Sequence, residues 1–177
     1  MVKKEKEYAR VPAAEEIIKE LCKKYPDALW AVKPENVAVL GVDNVEKPEK
    51  NKVLAKIKAI RGSDKALLKL YNVPVRYVIT LYCSDWNKWT ENLKQWVMFH
   101  ELLHITAEVG SVVKHDCEDF MLILDAAGVN WSNRTDLPSL LNSDVKFNLD
   151  LRPNMLEYCE ENDIDVDGKK DDKEDKD

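Results

Sequence analysis

The chain has 177 residues, enough to bury a core without disulfides or oligomerisation to rescue it. Its formal charge of -6 arises at one end, where residues 160–177 hold ten acids and four lysines; the body balances 23 acids against 23 bases and lacks the net-basic footprint of a nucleic-acid binder. Cys22, Cys83, Cys117 and Cys159 are too scattered for a zinc ribbon or a disulfide framework and fit reduced thiols.

The first residues, Met1 to Glu7, carry no apolar stretch of the signal-peptide kind, and no run approaches the roughly 20 apolar residues of a membrane span. The expectation is a soluble, cytoplasmic protein without membrane contact. Ile17, Ile18, Leu21, Cys22 and Tyr25 fall at helical spacing, with acids early, lysines late and Pro26 beyond, which predicts an amphipathic helix over 13–25. Three strands are expected next. Residues 37–42 are short, apolar and β-rich; 53–61 alternate Lys56 and Lys58 with Ala55, Ile57 and Ala59; and 75–82 are filled with β-branched and aromatic residues.

Ser84 or Asp85 can cap a turn into Trp86 and Trp89. Beyond it Leu93, Trp96, Val97, His100, Leu103, His104 and Ala107 share one broad helical face, and Gly110 is read as the end of that helix. A second helix is expected over 114–127, stopped by Gly128. Further on, a short helix at 137–142 and a strand at 145–151 are expected. Residues 160–177 are charged and poor in apolar side chains, so they read as a disordered, solubilising tail on a domain spanning 10–159.

The chemistry concentrates in His100-Glu101-Leu102-Leu103-His104. A period of 3.6 residues puts both imidazoles on one helix face with a carboxylate beside them, the H-E-x-x-H arrangement of a zinc hydrolase. Two histidines supply metal ligands, and Glu101 stands where it can take a proton from the attacking water and pass it to a leaving amine. The only other histidine, His115, lies eleven positions after His104 and is the candidate third ligand, with Asp116, Glu118 and Asp119 as rivals. Asp119, four residues after His115, would share its helical face and could accept its second ring N–H. Cys117 reads as a small buried hydrophobe rather than a ligand. An ordinary amphipathic helix also contains H-E-x-x-H by chance; burial of the imidazoles among Phe99, Leu102, Leu103 and Ile105 favours a metal as their shared partner.

The segments Trp96-Val97-Met98-Phe99-His100-Glu101-Leu102-Leu103-His104-Ile105 and Val113-Lys114-His115-Asp116-Cys117-Glu118-Asp119-Phe120 together resemble the phage metallopeptidase family, whose members pair an H-E-L-L-H-I helix with a later H-D-x-E-D-F segment. The resemblance covers residues 10–127, including the Tyr77-Val78-Ile79 strand and a tryptophan ahead of the active helix, Trp86 or Trp89. The chain is also similar to SprT-like zincins, in which a distant histidine completes the zinc site. The resemblance implies an α+β, minimal zincin-like domain: a sheet of three to four strands packed on the H-E-x-x-H helix and a second ligand-bearing helix. It further implies a Zn2+-dependent peptidase of phages and their bacterial hosts, acting on a protein or peptide substrate.

Two alternatives follow from other classes, a zinc-binding regulatory or interaction module without catalysis, and a DNA-associated SprT-like protease. Lys52, Lys56, Lys58, Arg61, Lys65, Lys69 and Arg76 lie within 25 residues that contain one acid, Asp64. They could contact nucleic acid or an acidic partner, although alternating lysines are more often the solvated face of a strand. Trp86, Trp89 and Trp96 are assigned to core or lid packing, and the 75–82 strand is the candidate for pairing with an extended substrate. Substrate identity and oligomeric state are not written in these patterns.

Overall fold

The computed structural model describes residues 7–43, 54–106, 110–115 and 119–151. Four strands, β1 (Glu7–Arg10), β2 (Val37–Asp43), β3 (Ala55–Ala59) and β4 (Tyr77–Tyr82), form one sheet in the order β1-β2-β4-β3. β2 and β4 run parallel, and β1 and β3 are antiparallel to their neighbours. The five helices are α1 (Pro12–Lys24), α2 (Gly62–Leu70), α3 (Cys83–Trp86), α4 (Glu91–Leu103) and α5 (Met121–Ala127).

One face of the sheet is apolar because period-2 alternation sends Val37 and Val39, Ile57, and Tyr77, Ile79 and Leu81 to the same side. α1 and α4 cover that face, with Ala14, Ile18 and Leu21 of α1 fully buried. Tucked between β1 and the turn into α3, Gly41 has no room for a side chain: a Cβ there would overlap the Cys83 sulfur. The close approach lets β4 hand directly over to α3 and then to α4.

Thr90 caps α4 by accepting the Leu93 N–H; Ser84 and Asp85, expected to cap a turn into Trp86 and Trp89, lie inside α3, which Tyr82 precedes. From Gln95 to Leu103 almost every side chain of α4 is buried, so the helix is the axis of the domain rather than a surface element. Trp96 and Trp86 are core residues, as expected, and Trp89 packs on Trp86 at 5.8 Å.

Several expectations need correction. The 75–82 strand is central rather than an edge; β3 is the edge nearest α4. α4 ends at Leu103, well before Gly110, because the chain turns to pair Ile105 with Val112. The second helix begins at Met121 instead of 114, so His115 sits outside it and no second ligand-bearing helix is found among the described residues. No helix forms at 137–142, because its backbone groups are taken by side chains along α4: Asn92 and the Trp96 indole donate to the carbonyls of Leu137 and Pro138, and Gln95 accepts the Leu141 N–H. At 145–151 there is no strand; Phe147 stacks on Phe99 at 4.5 Å, and Leu149–Leu151 forms a single 3-10 turn. The expected tail at 160–177 lies outside the described residues.

Candidate metal centre

His100 lies in the last turn of α4, and His104 is its C-terminal capping residue, still with helical backbone angles. The chain then reverses: Ile105 bridges to Val112, Thr106 and Ser111 exchange a hydroxyl bond of 3.0 Å, and the Tyr77 hydroxyl accepts the Gly110 N–H. Gly110 adopts φ +95, a left-handed conformation that a glycine reaches at low cost. This reversal carries His115 back over the helix end.

His115 Nε2 stands 3.0 Å from His100 Nε2 and 3.2 Å from His104 Nε2, so the three imidazoles aim one nitrogen each at a common point. The sequence's three histidines thus form a group able to hold a metal ion. Phe120, itself buried, has its ring centroid within 5.4 Å of all three imidazole centroids and packs an apolar ring against them.

The nitrogens that face away are also engaged. His104 Nδ1 is 2.6 Å from the Val113 carbonyl, which can only accept, so the proton resides on Nδ1 and Nε2 keeps its lone pair. Burial pushes His104 down to about 4, which keeps it neutral and available at physiological pH. Behind His100, Asp119 Oδ1 lies 3.0 Å from Nδ1. Asp119 therefore stands behind His100, and not behind His115 as its spacing suggested. The same carboxylate accepts the Phe120 N–H at 2.7 Å through Oδ1 and the Trp131 indole N–H at 2.6 Å through Oδ2. Burial works to raise Asp119, but His100, Trp131 and the Phe120 N–H outweigh it and hold the carboxyl below its ordinary value.

Asp119 is accordingly set apart from the cluster of nitrogens, while Asp116, Cys117 and Glu118 lie outside the described residues. Trp131 and the Val113 carbonyl were missed by sequence reasoning. A tryptophan twelve residues past an aspartate carries no spacing signal, and a backbone carbonyl carries none at all.

Glu101 is 5% exposed, facing β3 rather than solvent. Burial raises its carboxyl to about 7, against the opposing pull of His100 and of the Ile57 backbone N–H beside it. The phase of β3 turns that N–H to the Glu101 side. Ile60 donates to the Arg76 carbonyl, so by alternation Lys56 and Lys58 turn their backbone groups toward β4, and Ala55, Ile57 and Ala59 turn theirs to the free edge. Glu101 thus links the histidine helix to a strand edge that is unpaired among the described residues.

A mixed four-stranded sheet over a buried H-E-x-x-H helix, with a third histidine folded back onto it, defines a small zincin-like α+β domain. Residues 6–142 match the family described as "Putative phage metallopeptidase", and the chain belongs to that family. Searches of curated proteins and of solved structures give no significant match. Among the described residues no helix is long and apolar enough to cross a membrane.

Proposed function

We propose that the chain is a zinc-dependent peptidase with Glu101 as general base and His100, His104 and His115 as the protein ligands. The observation that carries the reading is the convergence of three Nε2 atoms on a helix end that packs, with its buried Glu101, against the edge strand β3. The donor set suits zinc. Nitrogens held about 2.0–2.1 Å from one ion at tetrahedral angles stand roughly 3.3 Å apart, close to the separations here, and three protein ligands leave the fourth position open as in catalytic sites. When bound, zinc lowers the pKa of a water to about 7 and polarises a scissile carbonyl.

Glu101 takes a proton from the attacking water and returns it to the leaving amine; burial places its pKa near neutrality, where it can do both. Asp119 and the Val113 carbonyl fix the two helix imidazoles in the tautomer that leaves Nε2 free. An extended peptide adds to the free edge of β3 by main-chain hydrogen bonds, which brings its backbone past Glu101. The site of action is the cytoplasm of a bacterial or phage-infected cell.

The deciding experiment compares the purified protein with Glu101→Gln for zinc content and for turnover of a mixed peptide library, with and without chelator. The variant should keep stoichiometric zinc and lose about 10²–10⁴-fold in rate, because a base is removed and no ligand is. Comparable turnover by the two proteins would remove Glu101 from the mechanism.

A further inference from the structure

We propose that Lys56 and Lys58 make the cleft selective for extended peptides with acidic side chains at two alternating positions. This rests on the peptidase reading and names the substrate class of the same site. Both lysines are exposed and project from the sheet face opposite the core, while Ala55 and Ile57, which alternate with them, point inward. Their cross-strand neighbours on β4, Thr80 and Val78, are uncharged. Among the described residues neither ammonium group forms an ion pair.

The phase of the edge makes the pair selective. Ala55, Ile57 and Ala59 present their backbone groups outward, so a strand added to β3 forms its hydrogen-bonded pairs at those positions. Substrate residues opposite Lys56 and Lys58 therefore occupy the non-hydrogen-bonded pairs, in which Cα atoms approach to about 4.5 Å and side chains are closest. Period 2 puts both of those substrate side chains on the lysine face. α4, which carries Glu101, packs against β3, and Glu101 lies beside the Ile57 backbone between the two lysines, so the acidic positions bracket the backbone nearest the general base. A lysine directly across favours glutamate or aspartate and repels lysine or arginine. The surrounding charge has the same sign, since residues 54–76 include Arg61, Lys65, Lys69 and Arg76 and a single acid, Asp64.

The test uses short peptides of alternating design with Glu, Gln or Lys at the two positions. Their cleavage is measured with the zinc-loaded protein, and their binding, by fluorescence anisotropy, with zinc-loaded Glu101→Gln. Glu should exceed Gln by about two- to fivefold at each position, with the advantage shrinking as salt rises. The double variant Lys56→Glu/Lys58→Glu should reverse the order to favour Lys, whereas Lys23→Glu on the far helix should leave it unchanged. Cleavage of all peptides at equal rates would overturn the selectivity and leave the peptidase reading standing. Charge-selective binding without any cleavage would support the selectivity and count against catalysis. Absence of peptide binding, or salt-sensitive binding of a single-stranded oligonucleotide that Lys56→Glu/Lys58→Glu abolishes while peptide charge has no effect, would overturn the proposal.

Discussion

Replacing Asp119 with asparagine tests whether the site is organised from behind the imidazoles. The carboxylate serves three groups at once: it lies 3.0 Å from His100 Nδ1, takes the Phe120 N–H and takes the Trp131 indole N–H. Asparagine is nearly isosteric but has one acceptor oxygen, so at least one of these groups faces an NH₂ donor. A donor left unsatisfied in a largely buried place costs about 1–3 kcal/mol of stability. Loss of the negative charge also weakens the hold on the His100 tautomer, and outer partners of this kind contribute about 10–100-fold in metal affinity, or roughly 1.4–2.8 kcal/mol. Chelator competition reads the affinity and thermal melting of the metal-free protein reads the stability. Trp131→Phe, which removes one donor and keeps the charge, should cost less zinc affinity than Asp119→Asn. If Asp119→Asn binds zinc within twofold of the parent, the carboxylate does not orient the ligand and the reasoning fails.

His115→Ala should weaken zinc binding far more steeply than Asp119→Asn, since it removes a nitrogen at the convergence point; equal losses would shift the third-ligand role elsewhere. Phe120→Ala should cost about 3–5 kcal/mol in melting experiments, because the ring supports all three imidazoles from a buried position. In metal-free protein, His104 lowered to about 4 makes stability rise with pH between about 4 and 6.5, where the unfolded chain binds the extra proton. Glu101 raised to about 7 acts oppositely, making stability fall as pH rises between about 4.5 and 7, so the two contributions offset each other over most of that range. Glu101→Gln should unmask the histidine slope, approaching 1.4 kcal/mol per pH unit; urea titrations that show the same pH profile for both proteins would contradict the assignment.

The parts of the fold that could be read from sequence are those whose own composition reports their surroundings. β4 is rich in β-branched and aromatic residues because it has neighbours on both sides, and that same richness argues against it as the strand that pairs with a substrate. β1 has no such signature: all four of its residues are exposed, and it is a strand only because β2 offers it partners. α2 was overlooked because its lysines were counted as a patch, and no residue of that helix is buried to mark an inward face. The end of α4 was misplaced for a related reason. Gly110 does mark a turn, but the long-range bridge between Ile105 and Val112 ends the helix earlier than local signals can show. The three histidines and Glu101 were legible because H-E-x-x-H is a local motif, whereas the partners of Asp119 depend on how α5 and the segment after it pack.

The three imidazoles lie within sixteen consecutive residues, and joining His115 to His104 closes a loop of only eleven. Short closures carry little chain entropy, so an unfolded chain can gather the same nitrogens around an ion at modest cost. Metal affinity for the unfolded state then subtracts from the gain in folding free energy, which grows as RT ln(1 + [L]/Kd) only when the denatured chain does not bind. Zinc will therefore raise the melting temperature by less than its affinity for the native site would suggest, and a nascent chain can capture the ion before the sheet has closed over it.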